Sequence, residues 1–254
     1  MQTKMKNWNG KEIPCARSRG GVIAATHPYH NLISTDCTPW PPPEITQKLY
    51  KSRHAGAFGD EDAKIASSGL GYYCDLQSLH SEDAITWSVF GTAARADTRI
   101  KEAWLSELFD LLNLPDIQTQ KAEIYLWRRI PHPDTLVSGG PEIDMGILTA
   151  NALFLGEAKW LSDVGGSQGK LKNKNQIQLR GEFLLKYGKT LFRDRPYLVV
   201  FGISLSQGSI KDATPDGIIF QSTIWEKVCA LKSHPLYDEV NRYYEWKKAN
   251  TQIR

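Results

Sequence analysis

An α/β fold, with a mixed central sheet flanked by helices, is predicted from three stretches of this 254-residue chain. Residues 196–204 (Pro-Tyr-Leu-Val-Val-Phe-Gly-Ile-Ser) form a continuous apolar run, as expected of a strand buried on both faces. Residues 143–149 and 152–158 are two β-favouring runs separated only by Ala150-Asn151, the length of a short hairpin turn. Residues 99–112 repeat apolar side chains at helical spacing (Ile100, Trp104, Leu108, Leu111, Leu112), and Pro115 ends the pattern. With the segments between them, these give the order helix, strand, strand, strand, helix, strand over residues 81–204, then a helical C-terminus.

Taken in order, residues 1–75 carry the weakest pattern. Pro39-Trp40-Pro41-Pro42-Pro43 is rigid, extended punctuation. Residues 44–53 suit a short helix, and residues 56–71 are broken by glycines and charges. The segment reads as an N-terminal extension that packs on the core or contacts a partner, with residues 76–254 as the main domain. Ser81-Glu82-Asp83 has the form of an N-cap followed by acids in a first helical turn, and Ile85, Val89 and Ala93 then recur at helical spacing. Residues 123–130 read as the first core strand, stopped by Pro131 and Pro133. The loop 131–140 ends in Gly139-Gly140, which lends flexibility just before the hairpin. After the hairpin, residues 162–175 combine Gly165, Gly166 and Gly169 with lysines at the alternate positions 170, 172 and 174. Residues 176–187 form a helix with Gly188 near its C-terminal cap. Residues 223–231 and 237–248 also read as helices, the second burying Val240, Tyr243, Tyr244 and Trp246.

The hairpin concentrates charge. With the turn centred on Ala150-Asn151, antiparallel pairing sets Asp144 across from Glu157 and Glu142 across from Lys159. Alternation along each strand points all four the same way, while Ile143, Met145, Ile147, Phe154 and Trp160 face the core. Opposed residues have Cβ atoms roughly 5 Å apart. Two like charges at about that distance repel by roughly 3 kcal/mol at an effective dielectric near 20. Such a pair implies a shared proton or cation. Mg2+ suits it, being content with one or two carboxylates plus water and phosphate oxygens. Lys159 cannot bind the ion, yet stands where an amine can hold an attacking water. The plainer alternative is a surface hairpin with one cross-strand Glu–Lys bridge, worth under about 1 kcal/mol.

Pro141-Glu142-Ile143-Asp144, twelve intervening residues, then Glu157-Ala158-Lys159, placed on adjacent strands, resembles the motif of the PD-(D/E)XK nuclease superfamily. The element order over residues 81–204, about half of the chain, is similar to the αβββαβ core of its restriction-endonuclease-like fold. The resemblance implies a metal-dependent nuclease that hydrolyses phosphodiester bonds, with DNA the expected substrate and endonucleolytic cutting the expected mode. It implies Mg2+ as cofactor, with Mn2+ able to substitute. The ion would be held by Asp144, Glu157 and the Ala158 carbonyl, with Lys159 positioning the nucleophile or stabilising developing charge. Glu82 has two readings: a favourable partner of the helix dipole, or the extra acid that many members carry on the helix before the sheet. Glu102 and Glu107, off the apolar stripe of their helix, are fallbacks for that acid. Lys170, Lys172 and Lys174 would give salt-sensitive, sequence-independent backbone contacts. Gln176, Gln178 and Arg180, near the start of the next helix, are further candidates for the active centre or for nucleic acid. Two rival readings share the fold: an RNA-directed nuclease and a non-catalytic nucleic-acid-binding member. A third is a protein-interaction module that uses the hairpin as a salt-bridge surface.

Composition excludes little else. The net charge of +3, from 31 basic and 28 acidic residues, is too small to mark a nucleic-acid binder by itself, so any basic surface must be local. No apolar stretch approaches the ~20 residues that cross a bilayer, and the N-terminus lacks an apolar signal core. A cytoplasmic protein without membrane contact is the expectation; a homodimer is compatible with the sequence but not readable from it. Cys15, Cys37, Cys74 and Cys229 are scattered, without a Cys-x-x-Cys, and read as reduced and structural. A zinc set of Cys15, His27, His30 and Cys37 matches no compact finger spacing. The lysine-rich loop is not a Walker-type phosphate loop, because Gly169-Lys170-Leu171 lacks the Ser/Thr ending.

Overall fold

The computed structural model describes residues 3–34, 39–134, 140–162, 174–192 and 195–251. In chain order these form strands β1 (Thr3–Lys6), β2 (Glu12–Arg17) and β3 (Ile23–Ala25), then helices α1 (Pro43–Leu49), α2 (Asp60–Ser67) and α3 (Glu82–Thr86). α3 runs through a π-helical turn, Trp87–Gly91, into α4 (Thr92–Ala94), and α5 (Thr98–Leu111) follows. Next come β4 (Glu123–Leu126), β5 (Met145–Leu148), β6 (Ala152–Ala158), α6 (Gln176–Phe183), α7 (Lys189–Leu191), β7 (Tyr197–Ser204), β8 (Ile219–Ile224), α8 (Trp225–Cys229) and α9 (Tyr237–Thr251).

Contacts divide the chain into two compact units, Met1–Thr92 with Leu236–Arg254, and Ala93–Pro235. The division differs from a boundary at residue 75 because the first ninety residues and the C-terminal helix make one structure. In this first unit β1, β2 and β3 form an antiparallel sheet that the sequence did not announce. α9 is fixed to the unit by polar contacts as well as by burial: the Tyr243 hydroxyl donates to the Asn31 carbonyl at 2.9 Å, and Trp246 Nε1 to the Lys6 carbonyl at 2.8 Å. Of the expected 44–53 helix only residues 44–49 are helical, within α1, and α2 fills much of the glycine-broken 56–71 stretch.

The second unit is built on a five-stranded mixed sheet in the order β4-β5-β6-β7-β8. β4, β5 and β6 pair antiparallel; β6, β7 and β8 pair parallel. Helices cover both faces. On one, Leu153 and Leu155 of β6 pack with Ile177, Phe183 and Leu184 of the α6 segment. On the other, Phe154 stacks on Phe109 of α5 with ring centroids 4.8 Å apart. The fold class is therefore mixed α/β with a helix-flanked mixed sheet.

Several elements differ in detail from expectation. β4 stops at Leu126, where Trp127 takes a φ of +54° and distorts the strand without shifting its register. Pairing resumes beyond it, with Arg129 opposite Glu142. The buried stripe of α5 runs through Trp104, Leu105, Leu108 and Phe109, whereas Ile100 is exposed: the apolar face is turned by one position. Residues 219–224 are a strand rather than the approach to a helix starting at 223, since Ile219, Thr223 and Ile224 are β-branched and pair with β7. Among the described residues no helix is long and apolar enough to cross a membrane.

Candidate active site

The hairpin places the candidate residues. Thr149 Oγ1 accepts the Ala152 N–H at 3.0 Å, and the Thr149 N–H bonds the Ala152 carbonyl at 2.9 Å, closing a two-residue turn at Ala150-Asn151. Asn151 ties the turn down, donating to the Asp116 carbonyl and accepting from the Gln118 N–H. β5 and β6 then pair with Met145 opposite Gly156 and Ile147 opposite Phe154, so the register sets Asp144 opposite Glu157. Where the two strands part, the Asp144 Oδ2 accepts the Ala158 N–H at 2.8 Å. Ala158 thus meets Asp144 through its amide.

Glu157 is completely buried, an unusual position for a carboxylate. Directly across on β7 lies Gly202, and the space left by its missing side chain is taken by Ile210, 2.8 Å from where a Cβ would stand. Two cations meet the Glu157 carboxylate. Lys159 Nζ lies 2.6 Å from Oε1, and Arg180 Nη2 forms an ion pair with Oε2. Burial pushes the Glu157 carboxyl up to about 7; Arg180 opposes this, the Asp144 charge adds to it, and Lys159 opposes it. Lys159 itself is almost fully buried, and its carbonyl accepts Trp225 Nε1 at 2.9 Å, fixing the end of β6.

Arg180 is the residue whose role the sequence did not give. It was a candidate for contact with nucleic acid; it is instead entirely buried. Besides Glu157, it donates to the Glu142 carbonyl at 3.1 Å and to the Gln176 carbonyl at 3.0 Å. The signal was present: Arg180 lies three residues after Ile177 and four before Leu184, on the buried face of the helix.

The other candidates are accounted for within their own units. Glu82 opens α3 in the first unit, behind the Ser81 cap, with the buried Lys247 amine as a charge neighbour. Glu107 accepts from the Ser233 N–H and hydroxyl, and Glu102 from the Lys121 N–H. Gln178 Nε2 donates to Glu182 at 3.1 Å. Lys174 pairs with Asp134 at 2.9 Å and Glu182 at 2.6 Å. Lys170 and Lys172 lie outside the described residues. Of the zinc set, Cys37 also lies outside them, and Cys15 is buried with its thiol pushed up to about 11 by that burial. Among the described residues, no three His, Cys, Asp or Glu side chains gather closely enough to hold a metal ion. Comparison of the chain with family models, with curated proteins and with solved structures gives no match.

Proposed function

We propose that the chain is a metal-dependent nuclease of the PD-(D/E)XK type, most simply a DNA endonuclease. One observation carries the reading: Asp144 stands opposite Glu157 across the hairpin, with the Lys159 ammonium 2.6 Å from the Glu157 carboxylate. The helix–strand–strand–strand–helix–strand order around this pair supports it. The donor set suits a small hard cation. Two carboxylates are enough for Mg2+, which keeps water in its remaining positions. The Asp144 charge is among the forces that raise Glu157, a repulsion that a shared cation relieves.

Asp144 and Glu157 are the residues that would hold Mg2+ or Mn2+. When bound, the ion supplies Lewis-acid polarisation of the scissile phosphate and a lowered pKa for the attacking water. Lys159 orients that water by donating from Nζ, and the same ammonium faces negative charge as it develops on the phosphate. The Ala158 N–H donates to Asp144 Oδ2, which holds that carboxylate in place just before β5.

Incubation with supercoiled plasmid, single-stranded DNA and RNA, each with Mg2+, Mn2+ or EDTA, tests the reading. Cleavage of DNA with either ion and none with EDTA is expected. Asp144→Ala and Lys159→Ala should each lower cleavage by about a hundredfold or more, with unchanged circular dichroism. An Asp144→Ala protein that cuts as well as wild type sinks the assignment. Cleavage of RNA alone moves the substrate class; tight DNA binding without cleavage or metal uptake marks a non-catalytic member of the fold.

A further inference from the structure

Arg180 joins three places that the proposed chemistry needs in register. Its guanidinium meets the Glu157 carboxylate on β6, the Glu142 carbonyl two residues before Asp144, and the Gln176 carbonyl in the first turn of its own helix. Both carboxylate-bearing segments are therefore tied to α6 by one rigid, planar group. A guanidinium suits this work because its donors lie in a fixed fork; an ammonium on a flexible stem reaches one of these acceptors well and the others poorly. The two Glu157 oxygens are consequently unequal: Arg180 holds Oε2 from inside the protein, while Oε1 faces Lys159.

We infer that Arg180 is a positioning residue for the metal-ligating carboxylate: by gripping Glu157 Oε2 and the Glu142 carbonyl together, it sets the spacing of Asp144 and Glu157 for a divalent cation. The inference rests on the nuclease reading above and deepens it. Arg180 touches neither substrate nor ion. Being wholly buried, it acts through the side chain it holds. Removing Arg180 leaves Glu157 Oε2 without the ion pair that holds it, so the carboxylate loses its fixed orientation relative to Asp144.

The test measures Mn2+ binding by calorimetry on the full chain, for wild type, Arg180→Lys, Arg180→Met, Glu157→Gln and the double variant Glu157→Gln/Arg180→Met. Cleavage kinetics on DNA accompany it. Arg180→Met is expected to weaken Mn2+ binding about tenfold or more, Arg180→Lys to recover only part of it, and kcat to fall while KM for DNA stays within about twofold. In the Glu157→Gln background the Arg180→Met change should add almost nothing, because its effect passes through Glu157. Arg180→Lys keeps both the cation and Glu157, so it is the form to rely on if Arg180→Met does not fold. Mn2+ affinity unchanged in Arg180→Lys and Arg180→Met overturns the inference and leaves the nuclease reading standing. So does an equal loss with and without Glu157, or a rise in KM at constant kcat. Failure of wild type to bind Mn2+ at all overturns the nuclease reading and this inference with it.

Discussion

At the scale of single residues, the chain places ionisable groups where water cannot reach them and then supplies partners. Glu157, Arg180 and Lys159 are examples in the second unit, and Lys48 and Lys247 in the first. Lys48 is buried and paired with Asp83 at 2.8 Å, and Lys247 is buried with Nζ 2.5 Å from the Leu79 carbonyl. Burial lowers the Lys247 amine from 10.5 to about 7, and Glu82 opposes that fall. The consequence for stability has a definite sign. An amine with a lowered native pKa binds its proton more weakly when folded, so between about pH 7 and 10.5 the unfolded chain carries more protons and stability rises with pH. Below about 7 the cost of the buried charge is fully present. Lys247→Met removes this dependence. The stability difference between wild type and variant, from denaturant melts, should therefore move in favour of wild type from pH 7 to pH 10, by up to about 1.4 kcal/mol per pH unit. A difference that stays constant over that range would place the ammonium in a solvated or fully compensated setting.

At the scale of elements, the hairpin depends on close approach as much as on charge. Gly156 precedes Glu157 and faces Met145, which follows Asp144; a Cβ at 156 would lie 2.3 Å from Met145 Sδ and 2.7 Å from Phe201. Gly156→Ala should therefore cost about 1–3 kcal/mol in a denaturant melt and weaken Mn2+ binding, since both motif strands shift together. Loss of stability with intact Mn2+ binding would show that the packing strain stops short of the carboxylates. The register of this hairpin was legible in the sequence because a two-residue turn and the period of two leave one pairing that buries Met145, Ile147 and Phe154. What was not legible depends on tertiary context. The positive φ of Trp127 is a backbone conformation that its residue type disfavours. β8 is short and runs straight into α8, so Thr223 and Ile224 fit the start of a helix as readily as the end of a strand. The helical spacing marks the buried face on which Arg180 lies, but not its partner, which lies on a strand 23 positions earlier.

At the scale of the whole molecule, the first unit is discontinuous: residues 1–92 are completed by the chain from Leu236 onward. Val240, Tyr243 and Tyr244 of α9 are buried, and Lys247 joins them. Burying each apolar or aromatic side chain contributes about 1.5–3 kcal/mol, so these three account for roughly 5–9 kcal/mol before chain ordering is counted. That is comparable with the roughly 5–15 kcal/mol net stability of a typical domain. The 2.9 Å hydrogen bond from Tyr243 to the Asn31 carbonyl would also leave a buried acceptor unpaired on removal of the helix. Truncation after Leu236 should accordingly unfold the first unit while sparing the sheet that carries Asp144 and Glu157, whose strands β4 to β8 all lie within Ala93–Pro235. Hydrogen exchange reads the two outcomes separately: amides of β2 and α3 should exchange at unfolded rates in the truncated chain, and those of β6 and β7 should stay protected. Protection retained in β2 would mean that residues 1–92 hold together without α9; protection lost in β6 would mean that the two units unfold as one.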